Sequence, residues 1–430
     1  VTLGDGQVVP EINFTLPTMA ITRETMPEVL RIYREMIKGV LDRAGELRSP
    51  SVVVEFETLP PMTENPEWGL DVVKVLLDGI ANAKAKHGLS AVLRVTPNDT
   101  REMTRPPRMR DGELVDCMFQ LFERSAQEGA DMLSIESVGG KEVHDDALTY
   151  GEISQVVFAL CILGVRDMHW LWTRISDIAE EHGSVSAGDT ACGFANTAMV
   201  LAEQHMISRT FAAVVRAISA VRSLVAYECG AKGPGKDCGY ENIYLKAITG
   251  FPMAMEGRTS ACAHFSPVGN VASAACDTWS NESVQYVKLL SGMAPVCSME
   301  QLVYDCRLMN RALAEGPETA QTLRRLLTDS DATLDPHAYV LTPSSAIQVA
   351  GAIVSAPTPY EAGRAAGLCA VRLLREGTSH GLKLNERETG WLDRIESDLE
   401  ALPIDESKFI AAMMDEVEVS KFRPQDYDVN

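Results

Sequence analysis

The stretch Ser51-Val52-Val53-Val54-Glu55-Phe56 decides the fold. It is dominated by β-branched and aromatic side chains, is too short for a helix, and is apolar enough to be covered on both faces. A helical stretch follows from Gly69 to Lys86, and then a second short run of the same kind, Ala91 to Val95. Further runs recur at Met132 to Glu136, Val185 to Ala187, Ser223 to Tyr227 and Phe251 to Met255, separated by helical stretches such as Glu113 to Gly129, Ile153 to His182 and Thr197 to Ala220. Strand and helix in alternation call for a parallel sheet wrapped in helices. A chain of 430 residues has room for eight such units, so the expected fold class is α/β, a (β/α)8 TIM barrel. Two further strands are expected between Val296 and Val354, with Tyr339 to Leu341 the better candidate. An open doubly wound sheet is the alternative, but no Gly-x-Gly-x-x-Gly follows an early strand.

Either side of this core the pattern changes. Residues 1–50 read as an N-terminal arm, with Val8-Val9-Pro10-Glu11-Ile12 as its apolar knot, followed by a helix from Pro27 to Arg48 that packs on the barrel. The catalytic barrel is expected over 51–355, and 356–430 as a helical extension with helices at Tyr360 to Glu376, Asn385 to Leu402 and Lys408 to Val419.

Composition narrows the function. The formal charge of −21 repels phosphate backbones and anionic lipid, so nucleic-acid and membrane-surface roles are disfavoured. Apolar runs such as Val156 to Val165 fall short of the ~20 residues a membrane-spanning helix needs. Ten cysteines without regular spacing fit a reducing compartment, and no leader precedes Gly4, so a cytoplasmic protein with free thiols is expected.

Chemistry concentrates at three expected strand ends. Gly233-Pro234-Gly235-Lys236-Asp237-Cys238-Gly239-Tyr240-Glu241-Asn242 forms a glycine-rich loop after one of them, Ser134-Ile135-Glu136-Ser137 ends another in a carboxylate, and Gly188-Asp189-Thr190-Ala191-Cys192 ends a third in a thiol. In a barrel these ends line the mouth, where active sites are built. Glu136, Cys192 and Cys238 could therefore meet as a three-ligand zinc site with one open position. A competing set is Cys238 with Cys262 and His264, or Cys276. Cys238 could equally pack as a small hydrophobe, and Lys236 and Asp237 could simply pair with each other. Trp279 to Glu282 could begin a helix capped by Ser280 or Asn281.

Longer strings carry a resemblance: Glu136-Ser137-Val138-Gly139-Gly140-Lys141-Glu142-Val143, Ser186-Ala187-Gly188-Asp189-Thr190, the Gly233 to Asn242 loop, Met255-Glu256-Gly257, Cys262-Ala263-His264 and Trp279-Ser280-Asn281-Glu282-Ser283-Val284. Over nearly its whole length the chain resembles the zinc-containing subunit of methanol:corrinoid methyltransferases. The resemblance implies a barrel with added helices, zinc on Glu136, Cys192 and Cys238, and Cys229 as a non-ligand. It also implies a corrinoid (cobalamin) carried by a partner protein, and a homodimer within a heterotetramer with that corrinoid protein.

This reading has a chemical rationale. Hydroxide is a poor leaving group, so an electrophile must take up charge on the methanol oxygen while cob(I)alamin attacks the methyl carbon. Two thiolates and a carboxylate leave a zinc site formally at −1, which weakens it, and a proton donor or a dry site must compensate. Asp189, Asp237 and Glu256 are the candidates for proton transfer or polarisation. The rival readings are a related corrinoid methyltransferase using a methoxylated aromatic or a methylamine, and a non-catalytic partner that docks the corrinoid protein without zinc.

Overall fold

A computed structural model describes residues 1–14, 16–257, 267–283, 288–289 and 292–429. Seven parallel strands form one sheet: β1 (Val9–Phe14), β2 (Ser51–Glu57), β3 (Ser90–Thr96), β4 (Met132–Leu133), β5 (Val185–Ser186), β6 (Ala254–Glu256) and β7 (Thr278–Ser283), in the order β5-β4-β3-β2-β1-β7-β6. The two edges meet through a short extended segment. Lys232 N donates to Ser186 O and Gly233 N to Ala187 O, both at 2.8 Å, while Gly235 bridges in parallel to Met253 before β6. Counting that segment, the sheet is a closed ring of eight, and the α/β barrel expected from the sequence is the fold observed.

Each strand turns one face outward to helices and one inward. Along β2, Val52, Val54 and Phe56 point out, and Phe56 meets Tyr33 of the helix Met26–Glu46 edge to face at 5.4 Å. Val53, Glu55 and Glu57 alternate with them and face the lumen. Inside, Arg94 Nε pairs with Glu11 Oε1 at 2.9 Å, Thr278 donates to Glu11 at 2.6 Å and Thr96 to Glu55 at 2.6 Å. The lumen is thus charged and hydrogen-bonded where the outer layer is apolar.

Several expected elements change. Val9–Phe14 is no arm but a full barrel strand, with β2 on one side and β7 on the other, so the strands begin well before residue 51. Ser223 to Tyr227 lies inside the helix Arg209–Glu228, whose N-cap Ser208 accepts from Phe211 N. Tyr339 lies in the helix Pro336–Val340, capped by Asp335, and Leu341 ends it; no described residue between Val296 and Val354 forms a strand. Trp279 to Glu282 belongs to β7 rather than to a helix start. The C-terminal helices are found at Pro359–Gly377, Glu386–Ala401 and Glu406–Glu416. Two helical stretches, Ile153–His182 and Arg209–Glu228, are long and apolar enough to cross a bilayer, yet 72% and 94% of their apolar windows are buried inside the protein.

Candidate metal centre

Three loops at the carboxyl ends of neighbouring ring members bring Glu136, Cys192 and Cys238 together. One donor atom from each lies within 4.8 Å of the others, and Cys238 Sγ sits 2.7 Å from Glu136 Oε1. Two sulfurs bound to one tetrahedral zinc by ~2.3 Å bonds lie roughly 3.8 Å apart, so the spacing and the donor types fit that ion. Cys238 is buried, whereas the Glu136 side chain is 28% exposed, which opens the cluster on one side.

The loops are shaped for this approach. Gly188 and Gly235 pass so closely that a Cβ on Gly188 would lie 2.8 Å from the Gly235 Cα, and a Cβ on Gly233 (φ +78°) would lie 2.3 Å from Pro252 O. Asp189 ties two of the loops together. Its carboxylate accepts from Ser137 N (3.1 Å), Ser137 Oγ (2.5 Å), Trp172 Nε1 (2.7 Å) and Thr190 N (2.7 Å), fixing the chain on either side of Glu136 and Cys192. Arg222 reinforces this by donating to Ser137 O at 2.7 Å.

Charge is balanced by Lys236, a fully buried ammonium 2.5 Å from Asp237, 3.3 Å from Glu136, and 3.4 Å from each of Glu55 and Glu57. Burial opposes its charge, but Asp237 and Glu55 win and raise it well above the usual lysine value. Burial pushes Glu55 up to about 8 and Glu57 up to about 7; Glu136 adds to the latter, and Lys236 opposes both. Burial also drives the Cys238 thiol well up, with Cys192 and Glu136 adding to it. A bound cation would reverse that preference, because thiolates are metal ligands and metals displace their protons.

The proton-transfer candidates fall out differently. Asp189 is occupied by four donors and holds loops in place. Asp237 pairs with Lys236, which holds it below the usual carboxylate range although burial works the other way. Glu256 accepts from the Tyr240 hydroxyl at 2.7 Å. In the competing ligand set, Cys262 and His264 lie outside the described residues, and Cys276 precedes β7 at the far end of the barrel, with its thiol 3.5 Å from Ala272 O. Cys229, beside Thr173 at the C-terminus of its helix, is likewise away from the cluster. Sequence reasoning missed Lys236 as a hub and missed Glu55 and Glu57. Two glutamates spaced i, i+2 in an apolar strand were the available signal.

Comparison with known proteins gives the same direction. The model of the family described as "MtaB: Methanol-cobalamin methyltransferase B subunit" matches residues 1–428. The chain is 39% identical to the methanol–corrinoid protein co-methyltransferase of Methanosarcina barkeri, covering 99% of this chain and 92% of that protein. It is similar, with a TM-score of 0.94 and 39% identity, to a chain in the crystal structure of the methanol:cobalamin methyltransferase complex MtaBC from Methanosarcina barkeri, covering 99% of this chain and 93% of that one. With the match running almost end to end, this chain belongs to the family of methanol-cobalamin methyltransferase B subunits.

Proposed function

We propose that this chain is a cytoplasmic, zinc-dependent enzyme that takes the methyl group of methanol and passes it to cob(I)alamin on a partner corrinoid protein. The observation that carries the reading is the meeting of Glu136, Cys192 and Cys238 within 4.8 Å, in a chain 39% identical end to end to a methanol–corrinoid protein co-methyltransferase. Zinc on those three groups would act as a Lewis acid toward the methanol oxygen. The overall reaction consumes methanol, cob(I)alamin and a proton; the carbon–oxygen bond breaks, a carbon–cobalt bond forms, and water leaves.

The chain's own residues supply the rest. Glu136, Cys192 and Cys238 hold the ion, and Lys236, 3.3 Å from Glu136, offsets the negative charge of the donor set. Glu57 is 27% exposed, and burial together with neighbouring Glu136 raises its carboxyl, so it is the group we assign as proton donor to the departing oxygen. Asp189 keeps the loops of Glu136 and Cys192 at fixed separation. A docked corrinoid protein covers the mouth and excludes water, which strengthens every charge interaction inside. The assembly we infer is a homodimer of this chain carrying two corrinoid proteins.

The test combines zinc quantification with the methanol-dependent absorbance change of cob(I)alamin. Wild type should hold one zinc per chain, and Cys192→Ala or Cys238→Ala should lose both zinc and, at roughly 10³-fold or more, turnover. Full zinc in both variants would reject the ligand set. Turnover of a methoxylated aromatic with methanol inert would favour the related methyltransferase, and corrinoid-protein binding without zinc would favour the non-catalytic partner.

A further inference from the structure

Behind the two thiols, away from the mouth, lies a buried polar chain that none of the roles above uses. Cys192 opens a single π-helical turn, Cys192–Asn196, and Asn196 closes it. The Asn196 amide nitrogen has two hydrogens, and each finds a thiol-bearing loop: Nδ2 lies 3.2 Å from Cys192 Sγ and 3.0 Å from the Cys238 carbonyl oxygen. Its Oδ1 accepts from Arg216 Nη2, which fixes the amide so that the NH2 end faces the sulfur. Arg216 is itself fully buried and held from three sides. Its Nη1 donates to Glu241 Oε2 at 2.9 Å, its Nε donates to His337 Nε2 at 3.0 Å, and its guanidinium lies over the Tyr240 ring at 5.2 Å. Glu241 in turn accepts from Ala191 N at 2.5 Å and from Ser223 at 2.9 Å, so the same network grips the residue just before Cys192.

We propose that Asn196, polarised by Arg216, is a positioning residue that withdraws electron density from the Cys192 sulfur and locks the spacing of the two thiols. The inference rests on the metal reading above and deepens it. A cationic guanidinium on the amide oxygen strengthens the amide N–H as a donor, since hydrogen bonds in series polarise one another. An N–H donor on a thiolate lowers the energy of its lone pairs and makes it a weaker electron donor to a bound ion. For a centre carrying two thiolates and a carboxylate, that restores acidity which the ligand set alone removes. Because the second amide hydrogen is spent on the Cys238 carbonyl, one side chain sets both the electronics of one sulfur and the position of the other.

The test uses the full-length protein loaded with Co²⁺, whose thiolate-to-metal charge-transfer bands report sulfur donation, together with Zn²⁺ affinity by chelator competition. Asn196→Asp keeps the shape and the bond from Arg216 but removes the N–H. We expect charge-transfer bands at longer wavelength at full cobalt occupancy, and Zn²⁺ affinity weakened roughly 10- to 100-fold, because losing the anchor on the Cys238 carbonyl outweighs the stronger sulfur donation. Arg216→Lys, which retains the amide, is expected to give a smaller shift in the same direction and serves if the aspartate variant does not fold. Unshifted bands in a folded, fully loaded variant would overturn the inference while leaving the ligand set intact. Absence of thiolate bands in the wild type would overturn the metal reading and the inference together.

Discussion

The two faces of β2 follow opposite rules. Outward, the side chains of Val52, Val54 and Phe56 are fully buried and make only apolar contacts; inward, Glu55 and Glu57 share a lumen with Lys236, Asp237, Glu11 and Arg94. The outer face is held by burial of apolar area, which is indifferent to pH and tolerant of small changes in shape. The lumen is held by mutual charge compensation, which costs desolvation on every member and fails when one partner is removed. A barrel can therefore be rigid on its outside and hold electrostatic tension within, at the end where its loops do chemistry.

Breaking the lumen should cost most. Lys236→Met leaves the Asp237 carboxylate buried without its cation, and we expect a loss of about 3–5 kcal/mol in denaturant unfolding at pH 7.5. The loss should shrink toward pH 5 as the carboxyls protonate.

A smaller effect sharpens the same contrast. Glu55 is pushed up to about 8 in the folded chain from an ordinary value of 4.5, so between those pH values the folded state binds more protons than the unfolded one. Its contribution to stability therefore falls as pH rises from about 5 to 8, by at most about 1.4 kcal/mol per pH unit. Glu55→Gln should flatten that slope in unfolding measured across the window; an unchanged slope would show that Glu55 titrates normally.

The smallest effect belongs to the exterior. Lys74 and Glu128, 3.5 Å apart on two surface helices, are both well exposed, and Lys74→Ala should change stability by no more than about 0.5 kcal/mol.

The same two-faced construction decides what could be read from the sequence. β2 and β3 were legible because valine and leucine dominate them on either face. β1 and β7 were not: Glu11 and Asn13, and Thr278 and Ser280, interrupt the apolar run because alternate positions face a charged lumen. The segment Lys232–Gly235 has no strand propensity at all, and its conformation is imposed by hydrogen bonds from both neighbours. Ser223 to Tyr227 and Tyr339 to Leu341 look strand-like in isolation, but upstream caps at Ser208 and Asp335 had already set helical register. Glu136, Cys192 and Cys238 could be picked out because each ends or follows a strand and sits in, or two residues beyond, a family-like string. Asn196, Arg216 and His337 could not, since they are linked only across the folded core.

That extended segment has one more implication. The residues that stitch the ring shut run straight into Lys236, Asp237 and Cys238, so sealing the cylinder and delivering the last sulfur are one event. A half-made protein has an unsealed seam and, by the same stroke, an incomplete grip. If the cluster holds an ion as proposed, its capture would double as a proofreading step: only a finished fold could be loaded, and loading would in turn clasp the seam.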